Sequence, residues 1–188
     1  KAGPPPMPGH ILTGPVAVES ATPGDVLKVD ILDVVLRQDW GYNFIRPLAG
    51  TLPQDFTETY HSNIPLDAER GIARLPWGLE LPLAPFFGVM AVAPPPEWGR
   101  IATIEPRKHG GNLDNKELVA GSTLYLPVFN EGALFSCGDG KKIDNYLTEN
   151  NINGRVQKIM ETSFDAKESF GEVKKDGVKF NLTKEKLN

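Results

Sequence analysis

The stretch that decides the fold is Thr22-Pro23-Gly24-Asp25 followed by Val26-Leu27-Lys28-Val29-Asp30-Ile31-Leu32-Asp33-Val34-Val35-Leu36. The first four residues are a turn signal, and the eleven that follow are dense in the branched aliphatic residues that favour strands. Leu27, Val29 and Ile31 share one parity, whereas Leu32, Val34 and Leu36 share the other. Successive strand side chains point to opposite faces, so either a bulge falls near Ile31 or both faces are covered. Burial on both faces implies a layered sheet. Upstream, His10 to Glu19 is a second β-leaning stretch, and the turn between the two predicts a hairpin.

Working outward, further strands are expected at Pro85 to Val92, Arg100 to Ile104, Ser122 to Phe129 and Ala133 to Cys137, with Asn130-Glu131-Gly132 as a tight connection. No helical period of useful length precedes Gly140. Gln38 to Arg74 and Pro106 to Gly121 read as long irregular segments, which in compact domains usually carry function. Beyond Gly140, Gly154 to Phe170 reads as a modest amphipathic helix through Val156, Ile159, Met160 and Phe164. Glu172 to Leu182 reads as a hairpin around Lys175-Asp176-Gly177. The fold class is therefore mainly β: a layered, β-sandwich-like domain with a short tail of helix plus hairpin.

Composition changes near residue 140. All 17 prolines lie at or before Pro127, whereas 9 of the 13 lysines lie after Gly140. The part up to Gly140 holds 10 basic and 16 acidic residues, and the remainder 10 basic and 8 acidic. This divides the chain into a β domain, residues 1–140, and a Lys/Asn-rich extension, residues 141–188.

The 188 residues suffice for one buried core, and 17 prolines with 19 glycines make the chain turn-rich yet below the low-complexity range of roughly 25%. A net charge of −4 leaves no electrostatic footprint for nucleic acid. One cysteine, Cys137, excludes a disulfide framework and permits a reducing compartment. The uncharged apolar stretch Leu81 to Pro96 is interrupted by prolines and falls short of the roughly 18 residues expected of a spanning helix. No charged n-region precedes an apolar h-region. The cytoplasm, away from membranes, is the expected location.

Two polar runs carry chemistry. Lys108-His109-Gly110-Gly111-Asn112-Leu113-Asp114-Asn115-Lys116 sets a histidine, two amides and a carboxylate around a glycine pair. Glycines let backbone approach a ligand closely, His109 and Asp114 can ligate a metal or move protons, and Asn112 can polarise a carbonyl. The same residue types are ordinary turn formers. Ser136-Cys137-Gly138-Asp139-Gly140 ends an apolar strand; Asp139 reads as a ligand or acid, or as half of an Asp-Gly hairpin turn. Cys137, on that strand, reads as packing. His10 and His61 have no local cluster of ligand residues. Trp40-Gly41-Tyr42-Asn43-Phe44 either lines a pocket with aromatics or is a surface loop anchored by Trp40.

Taken in order, several runs resemble the acetamidase/formamidase family. They are the opening Lys1 to His10, Gly14-Pro15, Pro23-Gly24-Asp25-Val26-Leu27, Trp40 to Phe44, Pro85-Phe86-Phe87-Gly88-Val89-Met90, His109 to Asp114, and Gly132-Ala133-Leu134-Phe135 with Gly138-Asp139-Gly140. The resemblance covers about residues 1 to 140 and corresponds to the middle of a longer family member. It departs at the end: where the family continues Gly-Asp-Gly into a histidine and a Gln-Gly-Asp-Gly-Glu segment, this chain has Lys141-Lys142-Ile143-Asp144-Asn145.

The resemblance implies an all-β enzyme that hydrolyses the carbon–nitrogen bond of short linear amides such as formamide or acetamide. With no activated Ser or Cys in view, the expected nucleophile is water polarised by a divalent metal, zinc or calcium. His109, Asp114 and Asp139 are the candidate ligands or bases, and Asn112 the carbonyl-polarising donor. Gly110 and Gly111 would supply oxyanion contacts, and Trp40 and Phe86 would close a small acyl pocket. The partners expected are a small amide and, through exposed sheet edges, further copies of the chain in a homo-oligomer. The competing reading is a truncated, non-catalytic β module used for binding or assembly.

Overall fold

The computed structural model describes residues 9–143, 172–175 and 178–185, with side chains through residue 140. The strands are β1 Leu12–Val16, β2 Val26–Val34, β3 Trp40–Ile45, β4 Tyr60–Asp67, β5 Ile72–Arg74, β6 Glu80–Ala91, β7 Gly110–Asn112, β8 Thr123–Pro127, β9 Phe135–Ile143, β10 Glu172–Lys175 and β11 Val178–Glu185. The larger sheet runs β1-β9-β6-β5-β4-β3, with β7 also on β6; the smaller runs β10-β11-β2-β8. All of these pairs are antiparallel. The expected layered, mainly β architecture is what the chain adopts. The helix expected over Gly154 to Phe170 lies outside the described residues, and the helical turn among them is a short 3₁₀ segment at Pro96–Trp98. Among the described residues no helix is long and apolar enough to cross a membrane.

The core lies between the two sheets. Leu27, Val29 and Ile31 of β2 and Leu126 of β8 pack with Phe87 and Met90 of β6 and Phe135 and Cys137 of β9. The mixed parity of the opening stretch resolves as a bulge. Against β11, β2 pairs Val34 with Val178 and Asp33 with Lys179, then skips to Ile31 opposite Phe180, so Leu32 is the extra residue. Ile31 is fully buried while Leu32 is 46% exposed. A second cluster, Ile64, Leu66, Ala73, Leu75 and Leu81, lies under β4, β5 and the start of β6.

Several connections differ from expectation. The stretches around β1 and β2 do not form a hairpin: β1 pairs with β9, and β2 with β8 and β11. The turn itself forms, with Asp25 N–H donating to Thr22 C=O and Thr22 N–H donating to the Asp25 carboxylate. It carries the chain from one sheet to the other. Turn residues specify a local bend, not a strand's partner, and buried Val18 and Ala21 draw the intervening segment into the core.

Gln38 to Arg74 is not irregular but holds β3, β4 and β5. In β4 the buried Ser62, Ile64 and Leu66 alternate with exposed His61, Asn63 and Pro65, a period of two obscured by polar residues on the buried face. Pro65 sits where the ladder to β5 has ended at Leu66, so its missing donor interrupts nothing. Arg100 to Ile104 forms no strand. The Asn130-Glu131-Gly132 connection passes from β8 in one sheet to β9 in the other. Near the C-terminus, β10 and β11 form the expected hairpin, and β11 continues the smaller sheet beside β2.

The bulge makes a sharp contrast between neighbours. Ile31→Ala should destabilise by about 2–5 kcal/mol, whereas Leu32→Ala should stay within about 0.5 kcal/mol of the parent. Urea midpoints of the two variants check this; equal losses would place the bulge elsewhere.

Candidate active site

Strand β6 is flanked at its C-terminal end by two strands that carry the polar runs. On one side β7 sets Gly111 opposite Met90 and Asn112 opposite Val89; on the other, β9 sets Cys137 opposite Met90 and Gly138 opposite Val89. One level further along, Asp114 N–H donates to Gly88 C=O at 3.0 Å, and the β9 register brings Asp139 level with the same glycine. The two aspartates thus stand on either side of a residue with no side chain. Both have left-handed backbone, φ 45° at Asp114 and 55° at Asp139, a conformation that costs a non-glycine residue about 1–3 kcal/mol. Such strain persists only where surrounding structure holds it, here the ladders on both sides of β6.

Asp139 is buried and does not end its strand in a turn, because β9 continues to Ile143. Its partner is a residue that local sequence patterning passed over. His10 Nε2 lies 3.6 Å from Asp139 Oδ2, while His10 Nδ1 lies 3.1 Å from both the carbonyl and the hydroxyl oxygen of Thr103. His10 N–H also donates to Thr103 Oγ1 at 2.6 Å. This geometry depends on the close approach of β1 to β9 at Gly138, where any Cβ would collide with the Ile11 carbonyl and stand 2.9 Å from Leu12 Cδ2. Nothing near His10 in the chain signals these contacts, since Thr103 is 93 residues away. The only clue is its place in the Pro-Gly-His opening.

On the other side of β6, His109 is buried, with its ring edge-on to Trp98 at 5.9 Å and Nδ1 without a hydrogen-bond partner among the described residues. Burial, and secondarily the Arg107 guanidinium, push its pKa below the ordinary histidine value. Trp98 also carries Arg107 and Lys108 at 5.4 and 5.2 Å from its ring. Asn112 Nδ2 donates to Ile104 C=O at 3.1 Å, which leaves the buried Oδ1 unpaired. One of the amide's two N–H groups is thus committed to Ile104, and Oδ1 is an acceptor beside the remaining N–H.

Other expected contributors are placed differently. Gly110 N–H donates to Arg107 C=O at 2.9 Å, so it closes the loop rather than facing an oxyanion. Its glycine identity is steric: φ is 92°, and a Cβ would run into the Met90 carbonyl. Gly111, at φ 108°, pairs with Met90 in the ladder. Phe86 is buried on β6, but Trp40 lies on β3, three strands away in the sheet, so the two do not close one pocket. Cys137 is packed in the core, and burial pushes its thiol up to about 12. Among the described residues no three His, Cys, Asp or Glu side chains converge as a metal-holding group, so His109, Asp114 and Asp139 are not gathered into a three-ligand centre.

Residues 7–102 and 97–143 match the Acetamidase/Formamidase family. The chain belongs to that family. Among its family relatives, the acetamidase of Mycolicibacterium smegmatis is 26% identical and the formamidase of Methylophilus methylotrophus 30% identical. Each alignment covers 70% of this chain and 47% of the relative. The Bacillus halodurans acetamidase structure superposes with a TM-score of 0.71 at 28% identity, over 94% of this chain and 52% of that one. A gamma lactamase from Delftia acidovorans shares the fold, with a TM-score of 0.73 at 23% identity over 93% of this chain and 51% of that one. This family member thus spans about half the length of the relatives it matches.

Two measurements probe the site's environment. Cys137 should resist alkylation by iodoacetamide at pH 8 in the native protein and react fully in denaturant; native labelling would contradict its burial. The unfolded chain protonates a histidine below about pH 6.5, while folded His109 refuses the proton until lower pH. Its contribution to stability is therefore complete above that pH and lost as pH falls through the folded value. Urea midpoints between pH 8 and pH 5 should decline less steeply in His109→Gln than in the parent; identical slopes would remove His109 as the cause.

Proposed function

We infer that this chain carries the acid–base part of a hydrolase acting on the carbon–nitrogen bond of short linear amides, formamide and acetamide among them, releasing ammonia and the carboxylate. One observation carries the reading: two strained aspartates flank the bare backbone of Gly88, one of them held against His10. Amide hydrolysis needs a base to take a proton from water as it attacks the carbonyl carbon, and an acid to return a proton to the departing nitrogen. The Asp139–His10 pair suits both tasks in turn. Thr103 holds the far side of the imidazole, so the nitrogen facing Asp139 is the one in play.

Asn112 Oδ1, a buried acceptor, suits the N–H groups of a primary amide, and Asp114 across Gly88 suits the developing ammonium. The His109–Trp98 wall favours a one- or two-carbon acyl group over a bulky one. The zinc or calcium ion expected to polarise the attacking water is not matched by a ligand group among the described residues, and no step here passes through it.

The non-catalytic module is the second reading. Lys141 in place of the family's histidine favours it.

The purified chain incubated with formamide and acetamide, with and without chelator, should release ammonia. Asp114→Asn should lower that release by a factor of about 10²–10⁴ with little change in urea midpoint, since asparagine tolerates the same backbone. No ammonia from the parent would favour the module, loss on chelation would bring a metal into the mechanism, and full activity in the variant would reject Asp114.

A further inference from the structure

Arg100 to Ile104, expected as a strand, is instead an irregular segment that brings Thr103 against Gly9 and His10. The Thr103 hydroxyl oxygen accepts the His10 backbone N–H at 2.6 Å, and glycine at position 9 makes this approach possible, because a Cβ there would collide with Thr103 Oγ1. The same threonine meets the ring: Nδ1 lies 3.1 Å from both its carbonyl oxygen and its hydroxyl oxygen. These two oxygens are not equivalent. A hydroxyl donates or accepts, but a carbonyl oxygen only accepts, so a bare Nδ1 would set lone pair against lone pair at 3.1 Å. Nδ1 therefore carries the hydrogen. A neutral imidazole has one N–H, so Nε2 keeps its lone pair, 3.6 Å from Asp139 Oδ2.

We propose that Thr103 is the positioning residue of the acid–base pair, fixing His10 as the Nδ1–H tautomer so that Nε2 is its basic atom. The inference rests on the hydrolase reading above and deepens it by assigning that atom. With Nε2 bare, two acceptors face each other across 3.6 Å, too far apart for a hydrogen bond between them. What fits beside both is a donor of two hydrogens, and the attacking water is one. It gives one hydrogen bond to Nε2 and one to Asp139 Oδ2. As its oxygen bonds to the carbonyl carbon, one proton passes to Nε2, Asp139 balances the charge of the imidazolium, and the same proton then goes to the departing nitrogen. The opposite tautomer would commit Nε2–H to Asp139 and turn the lone pair toward the Thr103 carbonyl, leaving His10 no base to offer.

The experiment uses the full chain with ¹⁵N-labelled histidine. The sequence has three histidines, and the His10 ring is assigned by the signals lost in His10→Gln. At about pH 9, above the ordinary histidine pKa of roughly 6.5, long-range ¹H–¹⁵N correlation should show Nδ1 protonated and Nε2 bare. Thr103→Val, which keeps the shape and loses the hydroxyl, should shift the ring toward the Nε2–H form. Gly9→Ala, which presses a methyl group against the same hydroxyl, should do likewise, whereas Thr103→Ser should keep the parental pattern. Unchanged His61 signals in each variant show that the fold persists. In ammonia release, Thr103→Val should lower kcat by about 10²-fold with KM unchanged, and Thr103→Ser should recover it. A hydrogen on Nε2 in the parent, or a Thr103→Val spectrum identical to the parent's, would overturn the inference. The spectrum is read without turnover, so a chain that releases no ammonia counts against the hydrolase reading alone.

Discussion

The approach of β1 to β9 at Gly138 is the constraint on which the site rests. A side chain at that position would strike the Ile11 carbonyl, and pushing β1 outward by the width of a methyl group would carry His10 away from Asp139. Close approach is needed again at Gly110, where β7 comes to β6 against the Met90 carbonyl, and at Gly14, where a Cβ would stand 2.7 Å from the Phe135 carbonyl. Glycine at these points lets β1 crowd β9, and β7 crowd β6, more tightly than side chains would permit. That crowding holds Asp114 and Asp139 in left-handed conformations.

Burial acts on the site in two ways. It holds His109 neutral and keeps the Cys137 thiol protonated, so one is withheld as a cation and the other as a nucleophile. It also makes unpaired polar atoms expensive. Asn112 Oδ1 and His109 Nδ1 on one flank of β6, and Asn43 Oδ1 and Ser62 Oγ on the β3–β4 hairpin, are buried acceptors or donors without partners among the described residues. Each such atom costs about 1–3 kcal/mol unless something supplies the missing bond. The first pair lies beside Asp114 on the flank of β6 that carries the polar run.

The apolar pattern made the sandwich legible. Leu27, Val29 and Ile31 announce a buried face by alternation alone, and the parity change at Leu32 announces a bulge, because both are properties of a strand by itself. The ordered runs were likewise enough to point to the acetamidase/formamidase family. Where polar residues occupy the buried face, as at Asn43 and Ser62, alternation is disguised, and β3 and β4 were not visible as strands. The hairpin expected of β1 and β2 failed for a related reason: a turn motif carries no information about which sheet receives the next strand.

For the chemistry, residue types alone nominated His109, Asn112, Asp114 and Asp139, since short polar side chains beside glycines are recognisable one run at a time. Where they stand was decided only by pairing across the fold. Strand register set Asp114 and Asp139 on either side of Gly88, removed Trp40 to a distant edge and brought His10 to Asp139, and the Asn112 amide donates to Ile104 C=O. Local sequence governs conformations available within a few residues. Contacts between residues about a hundred positions apart depend on which strands share a ladder, and here that is decided by where the whole apolar core is buried.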